Sequence, residues 1–138
     1  MSRSYSGNYA ALIRADVPVA VDIEKIRTLT SKERLGILSF ACNIEDMNLL
    51  DRGVELLQLW TMKEAYAKYL LRGLEINFRK IHIHPIGSEH FIGRHRDYPL
   101  VRMKSWFSED LVISVAGDMV KDCFSKLIMS EVVVEHEY

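Results

Sequence analysis

Four side chains stand where their type and spacing suit chemistry. Asp22 and Glu24 alternate along Val19-Ala20-Val21-Asp22-Ile23-Glu24, a run with the two-residue period of a strand. On such a strand they share one face, about 6–7 Å apart. Glu64 and Lys68 sit about forty residues later in Leu59-Trp60-Thr61-Met62-Lys63-Glu64-Ala65-Tyr66-Ala67-Lys68. Their spacing of four puts them one turn apart on one face of a helix. Carboxylate oxygens suit a hard cation such as Mg²⁺, which takes one or two protein carboxylates and leaves room for phosphate and water. A lysine beside them suits anionic oxygens. Taken one pair at a time, the same residues also suit a solvated strand face and a surface ion pair on a core helix.

The elements that position them follow from patterning. Residues 8–14 and 18–23 have strand character, and their closeness predicts an antiparallel hairpin. Capping residues among Thr28–Ser31 precede a helix over residues 32–41, and Asn43 caps a shorter one through Leu50. After the break at Asp51-Arg52-Gly53, a longer apolar helix over 54–71 carries Glu64 and Lys68, with Gly73 as its stop. Period-two patterning then predicts strands over 80–84, 100–107 and 111–116, with a hairpin region around Gly93. His82 and His84 share a strand face, expected to be polar rather than metal-binding because no third ligand stands at a suitable spacing. His90 and His95 are expected at the surface. Residues 118–126 suit a turn or short helix and 132–134 an edge strand, followed by a polar tail. The fold class is therefore α+β, a largely antiparallel sheet packed against a long helix, as one domain over 1–138.

Composition narrows the function classes. The 138 residues are 49% hydrophobic and 27% charged, ordinary for a globular domain. A net charge of −1 gives no argument for nucleic acid or an anionic membrane. The stretch Met1-Ser2-Arg3-Ser4-Tyr5-Ser6-Gly7 lacks an apolar signal core, and no apolar run is long enough to span a bilayer. Two cysteines, Cys42 and Cys123, form no metal spacing or disulfide framework, which favours a reducing compartment. A cytoplasmic protein is expected.

Together, the acidic strand and the lysine-bearing helix resemble the 4′-phosphopantetheinyl transferases. Their pattern is a Val/Ile-Gly-Val/Ile-Asp-x-Glu strand, then Trp/Phe-Ser/Thr/Cys-x-Lys-Glu-Ala/Ser-x-x-Lys on a helix. The helix element is matched at every defined position by Trp60 to Lys68, and the strand element is matched with Ala20 where glycine is usual. Ser4-Tyr5-Ser6-Gly7 stands where the family often has Ser-His-Ser-Gly. The likeness is to the second lobe of the surfactin-type enzymes, with holo-acyl-carrier-protein synthase as a single-lobe relative. It implies transfer of the phosphopantetheine arm of coenzyme A to a serine of an acyl or peptidyl carrier protein, with Mg²⁺. Asp22, Glu24 and Glu64 are then the metal acids. Lys63, Lys68 and Ser6 are on the coenzyme side, Lys68 also in catalysis. The serine proton goes to Glu45 or to Glu64 through water.

Three departures carry consequences. Tyr5 replaces the motif histidine, and Leu71 replaces the first glycine of the usual Lys-x-x-Gly-x-Gly-Leu. One lobe also lacks the second wall of the coenzyme site, so the resemblance implies a homo-oligomer, dimer or trimer, that completes it. The alternative is a truncated or degenerate homologue that binds nucleotide or carrier protein with weak or no activity.

Overall fold

A computed structural model describes residues 2–7, 9–13, 17–71, 75–117 and 133–136. The chain runs β1 (Ser2–Ser6), β2 (Tyr9–Ile13), β3 (Val19–Lys25), α1 (Ser31–Ala41), α2 (Ile44–Asp51) and α3 (Leu56–Tyr69). It continues through a 3₁₀ turn (Phe78–Lys80), β4 (His82–Pro85), β5 (His90–His95), β6 (Tyr98–Ser108), β7 (Leu111–Gly117) and β8 (Val133–His136). β7 is buried along its whole length and is the natural centre for pairing. It joins β3 and β6 in a five-stranded antiparallel sheet of order β3-β7-β6-β5-β4. A second sheet has the order β1-β2-β8. This is the α+β, antiparallel arrangement that the patterning implies.

The expected hairpin between the second and third strands does not form. β2 pairs with β1 and β8, while β3 pairs with β7. The cause is burial on both sides of β3. Val21 and Ile23 join Tyr9, Ala11, Leu111, Ile113 and Val115 in an apolar cluster, and Ala20 and Asp22 are buried as well. A strand of that kind needs a fully buried neighbour, which β7 provides. The polar strand Ser2–Ser6 turns back at Gly7, at φ +56°, to become the partner of β2.

Local signals place the helices. Thr30 and Glu33 form a capping box at α1, and Asn43 and Asp46 form another at α2. α3 has no side-chain cap and is held by packing. Leu59, Met62, Ala65 and Tyr66 lie in the main core with Phe78, Ile81, Phe91, Val101 and Met103. Its register on the sheet is fixed by a ring of buried hydrogen bonds. Gln58 Nε2 donates to Ser105 Oγ at 3.1 Å, and Thr61 Oγ1 donates to the Gln58 carbonyl at 2.8 Å. With those ends set, Ser105 donates to Ser114 at 2.9 Å and Ser114 to Thr61 at 2.7 Å.

His95 is buried, against expectation. Its Nδ1 accepts from the Asp97 amide at 3.0 Å and its ring lies 4.8 Å from Tyr98. Gly73 and residues 118–126 fall outside the described residues. Among the described residues no helix is long and apolar enough to cross a membrane.

Candidate active site

α3 is buried on every side but one. Within the helix the partly open positions are Trp60, Glu64, Lys68 and the terminal Tyr69, and the first three are spaced by four along one stripe. That stripe faces the end of β3, so the helix and strand motifs meet in space. Asp22 Oδ1 accepts from Lys68 Nζ at 3.1 Å and from Ser4 Oγ at 3.2 Å. Lys68 also donates to the carbonyls of Val21 at 3.1 Å and Arg3 at 3.3 Å. Lys68 thus pairs with Asp22 rather than forming the surface pair with Glu64 that their spacing suggests. Glu24 Oε2 accepts from Ser6 Oγ at 3.2 Å.

The three acids are electrostatically coupled. Burial pushes the Asp22 carboxyl up to about 7, against the attraction of Lys68, and the charge of Glu64 adds to the rise. Burial also raises Glu24, opposed by Ser6 and Arg27. Glu64 is raised by burial, opposed by Lys68 and reinforced by Glu24. All three carboxyls therefore hold protons more tightly than free carboxylates, the condition that an added cation would relieve. Glu24 and Glu64 also line a cavity of about 500 Å³ whose apolar side is formed by Ile37, Phe40, Leu57 and Trp60. Phe40, Trp60 and Phe78 form an aromatic cluster there, with ring centroids 5.5–6.0 Å apart.

Two other expected site residues, Lys63 and Glu45, lie elsewhere. Lys63 is fully buried in the opposite flank of α3. Its ammonium donates to Asp46 Oδ2 at 2.6 Å and to the carbonyls of Ala41 and Phe78 at 2.6 and 2.9 Å. With all three donors used inside the protein, it ties α1, α2 and the 3₁₀ turn to α3 and keeps no donor for a ligand. Glu45 is exposed on α2 and lies 2.9 Å from His82 Nδ1, outside the residues that line the cavity. His82 holds the Glu45 carboxyl below its usual range. Ser6 faces Glu24 and the Lys25 amide, which it receives at 2.8 Å. Among the described residues no group of three or more His, Cys, Asp or Glu side chains is gathered to hold a metal ion. A closed shell of Asp22, Glu24 and Glu64 is therefore not present. An ion here would be held by one or two of these carboxylates and completed by water and ligand oxygens.

Ser6, expected on the coenzyme side, grips Glu24, and Ser4, which grips Asp22, is not among the expected site residues. Their signal was the period-two repeat Ser2, Ser4, Ser6, the spacing of one strand face. Asp46, the partner of Lys63, is not among the expected site residues either.

Residues 18–116 match the 4′-phosphopantetheinyl transferase superfamily, and the chain belongs to that superfamily. The matched span covers the five-stranded sheet, the three helices and all of Asp22, Glu24, Glu64 and Lys68. β1, β2 and β8 lie outside it. No curated protein matches the chain.

Proposed function

We propose that this chain is one domain that transfers the 4′-phosphopantetheine group of coenzyme A to a serine of an acyl or peptidyl carrier protein. The serine oxygen bonds to the phosphorus that carries the pantetheine arm, the diphosphate P–O bond breaks, and 3′,5′-adenosine bisphosphate leaves. The observation that carries the reading is the meeting of Asp22, Glu24, Glu64 and Lys68 at one end of β3. Their carboxyls are raised and a cavity of ligand size adjoins them.

Mg²⁺, held by one or two of Asp22, Glu24 and Glu64, supplies charge neutralisation for the diphosphate when bound. Lys68 offers an ammonium to phosphate oxygens in exchange for its present carbonyl contacts. Glu64 is the better candidate for the serine proton. It lines the cavity and its carboxyl is raised, whereas Glu45 is exposed and its carboxyl is lowered by His82. A cytoplasmic homo-oligomer, dimer or trimer, belongs to the same reading, as does likeness to the second lobe of the surfactin-type enzymes. The exposed Leu35, Ile44 and Met47 on α1 and α2 offer apolar surface for a second copy.

A second reading, a degenerate homologue without activity, is favoured by one observation: all three donors of Lys68 are already engaged within the chain. Transfer to an apo carrier protein separates the two, and thermal unfolding tests the cation site. Coenzyme A should raise the melting temperature only with Mg²⁺ present. Equal shifts with and without the metal would count against the acids as the cation site.

A further inference from the structure

β1 meets β3 through its serines. Val21, Ile23 and Lys25 present their amides on the outer edge of β3, away from β7. These amides donate to Ser2 Oγ at 3.1 Å, Ser4 Oγ at 3.1 Å and Ser6 Oγ at 2.8 Å. Three hydroxyls at strand spacing thus cap an edge that would otherwise be open to another chain.

A hydroxyl has one proton and two acceptor lone pairs. Because each serine accepts from an amide, its proton remains to be given away. Ser4 gives it to Asp22 Oδ1, and Ser6 gives it to Glu24 Oε2. Ser2 is placed alike on the Val21 amide, but the residue at the corresponding position is Ala20, which has no acceptor side chain. Only one oxygen of each carboxylate is gripped. Lys68 and Ser4 both use Oδ1 of Asp22, and Ser6 uses Oε2 of Glu24. Among the described residues no hydrogen bond takes Asp22 Oδ2 or Glu24 Oε1.

We infer that Ser4 and Ser6 are positioning residues, which fix the rotamers of Asp22 and Glu24 so that each acid presents one free oxygen to cation and substrate. Ser2 caps the strand edge and nothing more. The inference rests on Asp22 and Glu24 being site acids, as proposed above. It assigns this work to a strand outside the span that matches the superfamily.

The internal control makes the test specific. Mn²⁺ binding is measured by electron paramagnetic resonance on the full chain and on Ser2→Ala, Ser4→Ala, Ser6→Ala and Ser6→Thr, each with a melting curve. All three alanine variants should melt lower. Mn²⁺ affinity should fall about tenfold or more in Ser4→Ala and Ser6→Ala, the usual effect of losing a group that orients a metal ligand. It should hold in Ser2→Ala and return in Ser6→Thr, which keeps the hydroxyl. Unchanged affinity in Ser4→Ala and Ser6→Ala, or an equal loss in Ser2→Ala, overturns the inference while leaving the acids as the site. An unmodified chain that binds no Mn²⁺ overturns both. If Ser4→Ala does not fold, Ser6→Ala against Ser6→Thr decides, because Ser6 is only half-buried.

Discussion

Asp22 should make the folded protein less stable as pH rises, and its replacement by asparagine should remove that loss. The side chain is 8% exposed, and its carboxyl is pushed up to about 7 from the ordinary 3.8. Burial is the largest cause, and Lys68 offsets part of it. The sign follows from linkage. The unfolded chain releases the proton near 3.8 and the folded chain near 7, so over that window the folded state holds more protons. The contribution of this group therefore falls as pH rises through the window and is fully lost above about 7. At about 1.36 kcal/mol per pH unit, the difference amounts to roughly 4 kcal/mol. The asparagine of the Asp22→Asn variant carries no charge, and its carbonyl oxygen can still accept from Ser4 and Lys68. Urea unfolding of both proteins with chelator present, at pH ~5 and pH ~8, reads the difference. Asp22→Asn should gain on the unmodified chain by roughly 3 kcal/mol between those conditions, the part of the window that lies above pH ~5. Glu24 and Glu64 are common to both proteins and cancel apart from the smaller coupling of Glu64 to Asp22. Added Mg²⁺ should recover stability at the higher pH in the unmodified chain only. Parallel stability curves across this range would refute the placement of a buried, charge-poised carboxyl at the site.

Three further outcomes follow from particular contacts. Leu71, at φ +57° and 91% exposed, holds a left-handed conformation just after α3 with no compensating burial; Leu71→Gly should stabilise by about 1 kcal/mol in urea unfolding. Lys63→Met leaves Asp46 buried without its cation, and should cost about 3–5 kcal/mol while the cation site stays intact, as Mn²⁺ titration of the folded fraction would show. Glu45→Ala removes an exposed pair with His82, and should change stability by less than about 1 kcal/mol. It should also leave transfer activity near that of the unmodified chain, whereas Glu64→Gln should abolish it; the reverse result would return the base to Glu45.

Much of the site was legible because its residues lie on elements of strong period. Asp22 and Glu24 alternate on a strand, and Glu64 and Lys68 are four apart on a helix. Those spacings survive folding whatever the rest of the chain does. Partner choice did not survive. Spacing alone paired Lys68 with Glu64, but the buried carboxyl of Asp22 across the interface captured it. Lys63 looks like a second site cation in sequence, yet it lies on the flank of α3 that faces α2. A helical position one residue away points about 100° off, and that rotation decides between solvent and core. The β2–β3 hairpin failed for a similar reason: nearness in sequence is weaker than the need to bury both faces of β3. Ser2–Ser6 carried too little apolar character to stand out as a strand, although its serines reach the acids.

The central claim is tested most directly by the reaction itself. The chain is incubated with coenzyme A, Mg²⁺ and a set of apo carrier proteins from fatty-acid, polyketide and peptide assembly, and the carriers are weighed intact by mass spectrometry. One carrier should gain a single phosphopantetheine group on a serine, with the gain lost on omitting Mg²⁺ and in folded Asp22→Ala and Glu64→Ala. A gain that persists in those variants, or no gain on any carrier from a folded chain that binds coenzyme A, would contradict the claim.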